Sequence, residues 1–361
     1  MNRTNEQYYF QLLSEKLNRV SKIPVKLMEV CGTHTMAIGK AGIRQVLPPA
    51  IELVSGPGCP VCVTADGEID AFLDLACLPG VIMTTYGDMI RVPGSKGSLR
   101  DIKAQGADIR VVYSPMEALE LARRERNREI VFLGVGFETT APASAHALLT
   151  ARRENIENFS IFNLHKTVPR ALEALLDDTS MLIDGFILPG HVSAIIGEKV
   201  YSVIADRYGV SGVIAGFTAP EIMAAVLKLV LLKQRGEPAV TNQYSHIVSY
   251  RGNTPAQNML RETFKPCDAQ WRGLGNIPGS GLKLNSDYLN YDAAVKFGIS
   301  IKETKGRSGC RCGNILKGLA KPPACPLFGT TCLPESPVGP CMVSSEGACA
   351  AYYLYEGGEL P

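Results

Sequence analysis

Short apolar runs alternate with stretches of helical length along the first two thirds of the chain. The runs predict buried β-strands at 25–30, 51–54, 81–85, 109–113, 130–133, 159–164, 185–188 and 212–215. The stretches between them predict helices that include 66–76, 115–126, 141–152 and 220–233. Strands that alternate with helices in this way are typical of an α/β fold with parallel sheets.

Two of the predicted helices begin with capping signals. Ser114 stands three residues before Glu117, and Thr218 stands three residues before Glu221. In such a capping box the hydroxyl accepts a hydrogen bond from the glutamate N–H, and the glutamate side chain accepts one from the first residue. We therefore expect helices to begin directly after Ser114 and Thr218.

Composition divides the chain into three predicted domains. A charged stretch near residue 127 is read as a solvated helix end, which separates a first α/β domain, 21–127, from a second, 128–236. After residue 236, glycine and proline become frequent, the periodic patterns weaken and cysteines concentrate. Residues 1–20 show one apolar helical face and no signal-peptide pattern. We expect this helix to pack with residues 237–361 as a third, loop-rich domain.

The charge balance excludes several classes of partner. Lys and Arg number 37 against 35 for Asp and Glu, so no global field attracts nucleic acid or an anionic membrane. The most apolar later run, 224–232, is too short to span a bilayer. We expect a cytoplasmic protein whose eleven cysteines stay reduced and serve as metal ligands or redox groups.

A Cys-x-x-Cys turn is the first candidate for chemistry. Cys59 and Cys62 lie in a turn stiffened by glycine and proline, directly after the predicted strand 51–54. Two thiols at this spacing form a disulfide or bind one metal ion, and a turn after a strand holds them in a fixed position. The alternative interpretation is a structural turn with incidental cysteines.

A second candidate follows the first predicted strand. Cys31 stands three residues before His34, close enough for the imidazole to lower the pKa of the thiol or to share a metal ion with it. The alternative is a buried thiol beside a hydrogen-bonded histidine.

Glu138 and His191 follow two further predicted strands. In an open parallel sheet, ligands bind beyond the carboxyl ends of the strands, so we expect both residues to face one cleft with Cys31. There they are predicted to handle protons or support the site, although a surface or capping role is the alternative for each. Gly134-x-Gly136 is too short a match for a dinucleotide-binding motif, since Thr139 stands at the third glycine position.

The tail holds the densest group of cysteines. Within forty residues rich in glycine and proline lie Cys310, Cys312, Cys325, Cys332, Cys341 and Cys349. A segment of this composition cannot fold by burial alone, and a metal centre would cross-link it. Zinc and a [4Fe–4S] cluster both accept four thiolates, and the absence of paired Cys-x-x-Cys motifs in the tail favours iron–sulfur. More than one choice of four cysteines remains open.

Together these motifs resemble the hydrogenase maturation factor HypD family. The matching stretches are 31–35 (Cys-Gly-Thr-His-Thr), 56–62 (Gly-Pro-Gly-Cys-Pro-Val-Cys), 136–140 (Gly-Phe-Glu-Thr-Thr), 189–193 (Pro-Gly-His-Val-Ser) and the cysteine-rich tail. The resemblance implies a scaffold on which an iron ion with two cyanides and one carbon monoxide, Fe(CN)2CO, is assembled for [NiFe] hydrogenase. The implied partners are the small chaperone HypC, the cyanide-donating HypE and, indirectly, the hydrogenase large subunit.

The resemblance also assigns roles to individual residues. It implies that Cys31 binds the iron together with a cysteine of HypC, and that Cys59 and Cys62 are a redox pair beside it. The family spacing Cys-x14-Cys-x6-Cys-x16-Cys selects four cluster ligands and leaves Cys312 and Cys341 as free thiols; the ligands are Cys310, Cys325, Cys332 and Cys349.

Two other functions are compatible with the sequence. One is an iron–sulfur-dependent thiol–disulfide oxidoreductase, for which Cys59 and Cys62 would matter and Cys31 would not. The other is a binding protein whose tail is held by zinc and which has no redox chemistry.

Overall fold

The computed structural model describes residues 3–302 and 309–357. The strands are β1 (Val25–Glu29), β2 (Ile51–Ser55), β3 (Val81–Thr85), β4 (Asp108–Val111), β5 (Glu129–Gly134), β6 (Phe159–Asn163), β7 (Gly185–Pro189), β8 (Ser211–Ala215), β9 (Val240–Asn242), β10 (Phe264–Trp271) and β11 (Gly275–Leu284).

The α-helices begin at the N-terminus and continue into the tail. They are α1 (Arg3–Val20), α2 (Gly32–Lys40), α3 (Ile43–Val46), α4 (Pro60–Val63), α5 (Asp66–Ala76), α6 (Leu99–Ala104), α7 (Pro115–Arg124), α8 (Ala141–Glu154), α9 (Val168–Asp177), α10 (Gly190–Ile196), α11 (Ser202–Tyr208), α12 (Ala219–Arg235), α13 (Thr254–Thr263), α14 (Ala293–Lys296), α15 (Cys312–Leu316) and α16 (Ala348–Tyr355). Short 3-10 helices lie at Gly87–Arg91, Lys199–Tyr201, Ser286–Tyr291, Pro322–Ala324 and Pro340–Met342.

Two parallel sheets form the centre of the described structure, so the predicted α/β class is confirmed. The first sheet has the order β2-β1-β7-β8-β9, and the second has the order β4-β3-β5-β6. Every residue of β3, β7 and β8 is buried, because helices cover both faces of a parallel sheet. Strands β10 and β11 pair separately as an antiparallel hairpin.

The strands do not group into sheets as the predicted division at 127/128 implies. β3 and β5 lie on opposite sides of that boundary and are neighbours in one sheet, with Val81 opposite Glu129. β1 likewise pairs with β7, where Leu27 lies opposite Gly185. The chain therefore leaves the first sheet after β2, builds the second sheet and then returns. Apolar runs predict where strands occur, but long-range packing decides their order.

Helix α1 packs on α12, whereas the prediction groups it with residues 237–361. Leu17 is fully buried in a cluster with Val226 and Val230 of α12, and the Gln234 side chain donates a hydrogen bond to the Val20 carbonyl. Burial of a leucine side chain stabilises the folded state by about 2 kcal/mol, so packing of the apolar face of α1 on α12 is favourable.

The predicted helix starts are observed with one difference. Thr218 and Glu221 form both hydrogen bonds of a capping box. Ser114 accepts from the Glu117 N–H, but the Glu117 carboxylate accepts from the Tyr113 N–H instead.

Among the described residues, no helix is both long and apolar enough to cross a bilayer.

Candidate thiol and metal centre

Cys31 lies at the junction of β1 and α2, where it is the N-cap residue of the helix. Its side chain is buried, and its N–H donates a hydrogen bond to Glu29 Oε2 at 3.2 Å. Burial raises the pKa of the Cys31 thiol to about 12, although the backbone N–H groups of His34 and Thr33 act in the opposite direction. The thiol is therefore protonated near neutral pH.

Glu29 supports this junction and carried no sequence signal, because it is one residue of an apolar strand. Its carboxylate is fully buried and accepts hydrogen bonds from the Thr35 hydroxyl at 2.6 Å and from the Cys31 N–H. Burial raises the pKa of Glu29 to about 7, against the opposing effects of its hydrogen bonds and of Arg44. Glu29 therefore fixes the backbone on which the Cys31 thiol stands.

The turn that leads to the Cys-x-x-Cys motif packs directly on the backbone of Cys31. The Gly32 N–H donates to the Gly58 carbonyl at 2.9 Å. A Cβ atom at position 58 would lie 2.1 Å from the Cys31 nitrogen, so only glycine fits there. This close approach brings the two sequence motifs into one site.

Replacing Gly58 with alanine is expected to lower the free energy of unfolding by on the order of 3 kcal/mol, because the new methyl group overlaps the Cys31 backbone. Denaturant unfolding of the variant measures the loss. Gly87→Ala is the matched control, since a Cβ there meets only Val111 Cγ1 at 3.8 Å. Equal stability of the two variants would contradict the close packing of the turn on Cys31.

Cys59 directly precedes the short helix α4, and Cys62 lies within it. Cys59 is its N-cap residue, and its sulfur accepts a hydrogen bond from the Cys62 N–H at 3.3 Å. Both side chains are buried, and the Cys62 sulfur lies 3.9 Å from the Pro340 carbonyl oxygen. Burial, followed by the neighbouring thiols of Cys341 and Cys59, raises the pKa of Cys62 well above its usual value.

His34 lies one turn into α2, and its ring is held by the backbone of the first sheet. Nε2 lies 2.8 Å from the Gly216 carbonyl oxygen, whereas Nδ1 makes no hydrogen bond. Burial lowers the pKa of His34 to about 4, so the ring is neutral. His34 and the exposed His191 both pack against Phe217, at ring-centroid distances of 4.7 and 4.1 Å. The structure therefore joins these two predicted residues through an aromatic ring.

Glu138 follows β5 and is buried. Both of its carboxylate oxygens lie within 3.3 Å of the Val168 N–H, at the start of α9. Burial raises the pKa of Glu138 to about 8, so the side chain is mostly a neutral acid at pH 7. Burial also raises the pKa of Tyr201.

Glu346 is a site residue that the sequence did not indicate. Its Oε1 accepts a hydrogen bond from the Thr33 hydroxyl at 2.7 Å. A Cβ atom at position 32 would lie 2.7 Å from Glu346 Cβ, so the tail packs tightly against the first turn of α2. A glutamate in a polar loop shows no pattern from which this contact is predictable.

The six tail cysteines line one enclosed cavity, in which Met342 and Phe328 are apolar neighbours; the cysteines are Cys310, Cys312, Cys325, Cys332, Cys341 and Cys349. The Val338 N–H donates to the Cys332 sulfur at 3.3 Å. Thiolates are the usual ligands of iron–sulfur clusters, and backbone N–H groups that donate to sulfur are common around them. In the described part of the chain, no three His, Cys, Asp or Glu side chains converge closely enough to hold a single metal ion.

Cys341 connects this cavity to the Cys-x-x-Cys turn. Its sulfur lies 2.7 Å from the Cys312 sulfur, closer than van der Waals contact and longer than a disulfide bond. The Cys312 thiol lowers the pKa of Cys341, but Cys349 and burial raise it to about 11. Cys62 is a further neighbour of Cys341. The thiols of Cys62, Cys341 and Cys312 are therefore consecutive neighbours.

A family model, HypD, described as "Hydrogenase formation hypA family", matches residues 8–356. This chain belongs to the HypD family. The resemblance seen in the motifs is thereby confirmed.

Relatives within the HypD family match over nearly their whole length. The hydrogenase maturation factor HypD of Rhodobacter capsulatus is 46% identical over 350 residues, which cover 96% of this chain and 93% of the relative. HypD of Escherichia coli strain K12 is 44% identical over 346 residues, which cover 95% of this chain and 92% of the relative. A hydrogenase expression/formation protein of Methanocaldococcus jannaschii is 41% identical over 353 residues, with 97% and 98% covered.

Proposed function

We propose that this HypD-family protein acts in hydrogenase maturation, as a scaffold on which Fe(CN)2CO is assembled for [NiFe] hydrogenase. One observation carries the proposal: the Cys31 thiol is buried at a helix N-terminus, with a dithiol turn packed on its backbone. The printed names of the relatives, which are maturation factors, support the hydrogenase context.

The surroundings of Cys31 suit a soft metal ligand. A thiolate is a good donor to low-spin iron that carries strong-field ligands. The Thr33 and His34 N–H groups favour the negative sulfur, and His34 is neutral because burial lowers its pKa to about 4. The chain thus supplies one thiolate and backbone N–H donors to the proposed iron site.

Further parts of the iron coordination come from partners. We propose that a cysteine of the small chaperone HypC supplies a second ligand to the iron and that HypE delivers cyanide. The assembled unit then passes to the hydrogenase large subunit. Burial of Cys31 supports assembly inside a shielded site, because iron–cyanide chemistry at an exposed thiol would compete with water and oxygen.

We propose a resident [4Fe–4S] cluster in the tail, held by Cys310, Cys325, Cys332 and Cys349. All four line the same enclosed cavity. A cluster bound there would supply single electrons to neighbouring groups. The remaining thiols in the cavity, Cys312 and Cys341, are in sulfur contact at 2.7 Å and are left to form a second dithiol pair.

The two dithiol pairs are placed for thiol–disulfide exchange. The Cys341 sulfur attacks Cys62 of a Cys59–Cys62 disulfide, which forms a Cys62–Cys341 bond and releases Cys59 as a thiolate. Cys312 then attacks Cys341, and Cys62 leaves as a thiolate. Two electrons and two protons have then passed from the tail pair to the Cys59/Cys62 pair beside Cys31.

Replacing either Cys59 or Cys62 with serine is expected to abolish hydrogenase maturation, because the one thiol that remains cannot form the Cys59–Cys62 disulfide. Hydrogenase activity in cells that carry the variant measures the effect. Cys77→Ser is the matched control, since its exposed thiol lies outside this series. Full maturation with Cys59→Ser would remove the redox pair from the mechanism.

The series of neighbouring thiols also favours a second candidate, an iron–sulfur-dependent thiol–disulfide oxidoreductase. That function predicts reduction of generic disulfide substrates, with no loss on Cys31→Ala. Cys59 and Cys62 are 4% and 0% exposed, so a folded protein substrate cannot reach them without opening of the site. We therefore favour the scaffold function.

A further inference from the structure

A proline-rich loop of the tail, residues 334–343, covers the thiol cavity. At its middle, the Val338 N–H donates to the Cys332 sulfur at 3.3 Å. A Cβ atom at Gly339 would lie 2.9 Å from the Cys310 sulfur. The same loop supplies part of the cavity wall. It therefore packs against the sulfurs of two of the proposed metal ligands.

The backbone of this loop makes few hydrogen bonds of its own. Pro334, Pro337 and Pro340 have no N–H group. Among the described residues, the backbone–backbone hydrogen bonds of 333–343 join only members of that segment, such as the bond from the Val343 N–H to the Pro340 carbonyl at 3.0 Å. Side chains from other elements must therefore satisfy the remaining carbonyl groups and hold the loop in place.

Arg91 binds both ends of the loop. Its Nη1 donates to the Pro334 carbonyl at 3.2 Å, and its Nη2 donates to the Val343 carbonyl at 3.1 Å. Directly after the loop, the Ser344 hydroxyl donates to Asp88 Oδ2 at 2.7 Å. A guanidinium is planar and presents its N–H donors in a fixed geometry, so this one side chain fixes the separation of the two loop ends.

The backbone that carries Arg91 is firmly anchored. Arg91 is the last residue of the 3-10 helix Gly87–Arg91, which follows β3 of the second sheet. Met89 and Val92, on either side of it, are buried in the apolar core. The Val92 N–H also donates to the Met89 carbonyl at 3.2 Å. Arg91 therefore ties the loop over the thiol cavity to the second sheet.

We propose that Arg91 is a positioning residue: it keeps the loop 334–343 closed over the thiol cavity and so slows the loss of the metal group held there. The inference rests on the metal centre proposed for the tail and adds to it a residue from outside the tail. Lifting of the loop uncovers the sulfurs of Cys310 and Cys332, where a chelator, water or oxygen then acts. A segment opens more often when the hydrogen bonds that hold it are removed. Arg91 therefore controls how often this loop opens.

Amide hydrogen exchange and iron release, measured on the same full-length protein, test this role. The protein is purified without oxygen and with its metal bound, and an excess of the iron chelator bathophenanthroline disulfonate is added. In Arg91→Met, exchange in the peptide 333–343 and iron release are both expected to be about tenfold faster, because two hydrogen bonds from a charged donor are lost. Arg91→Lys keeps the charge but not the forked geometry, so it is expected to restore part of the difference.

Two controls separate the loop from the rest of the fold. Arg100→Met removes an exposed arginine of α6 whose partner is the neighbouring Asp101, and both rates are expected to match those of the unaltered protein. The buried strands β7 and β8 are the internal reference, and their exchange is expected to stay the same in every variant. Where Arg91→Met fails to fold, Arg91→Lys decides, since its loop exchange and its iron release must still be faster than in the unaltered protein.

The outcomes distinguish this inference from the proposal on which it rests. Unchanged loop exchange in folded Arg91→Met overturns the role of Arg91 and leaves the metal centre standing. Equally faster exchange in β7 and β8 also overturns it, because Arg91 would then act on overall stability. Faster loop exchange with unchanged iron release overturns the link between the loop and metal loss. Absence of iron from the unaltered protein overturns the metal centre itself, while loop exchange still decides whether Arg91 holds the loop.

Discussion

Replacing Cys31 with alanine is expected to abolish the infrared bands of iron-bound cyanide and carbon monoxide while the tail cluster remains. Cys31 is the buried thiol at the start of α2, and Glu29 and the Gly58 turn fix its backbone. Alanine removes the proposed sulfur ligand. The measurement is an infrared spectrum of the full-length protein, purified without oxygen together with HypC, the proposed partner.

The control for this experiment is Cys77→Ala, which removes an exposed thiol and should leave the bands unchanged. Bands that persist in Cys31→Ala would show that another group binds the iron. Absence of bands in the unaltered protein, with a brown cluster present, would favour the oxidoreductase function instead.

The second large effect concerns the tail. Serine at any one of the four proposed cluster ligands is expected to abolish the visible absorption and the labile sulfide, because a cluster that loses one thiolate is released or degraded. Cys312→Ser and Cys341→Ser are expected to keep both signals, since these sulfurs contact each other at 2.7 Å. The four ligands are Cys310, Cys325, Cys332 and Cys349.

Two results would change this assignment. Loss of the cluster in Cys312→Ser or Cys341→Ser, with retention in one of the four ligand variants, would reassign the ligands. Stoichiometric zinc without labile sulfide in the unaltered protein would replace the cluster by a structural zinc ion, and the electron transfer proposed here would then have no source.

Much of the secondary structure was predictable from the sequence. The apolar run at 81–85 coincides with β3, and the helix predicted at 66–76 coincides with α5. Strands of a parallel sheet are buried on both faces, so they occur in the sequence as continuous apolar runs that can be assigned as strands. Cys31 follows β1 and Cys59 follows β2, as the predicted strands imply.

The sheet order and the packing of α1 were not predictable, because each depends on contacts between segments far apart in the chain. Pairing of β1 with β7 requires the chain to complete another sheet first. The apolar face of α1 fits any exposed apolar surface, and only the folded protein shows that α12 supplies it.

The sequence by itself determined the α/β class, the motif residues and, through their joint resemblance, the family. Those properties follow from local periodicity and from residue types at fixed spacing. Only the tertiary structure decided that Cys341 neighbours Cys62 and that Glu346 bonds to Thr33. Such contacts join segments that are far apart in the sequence. The entropic cost of closing a long loop varies only slowly with loop length, so the number of residues between two segments does not reveal whether they touch.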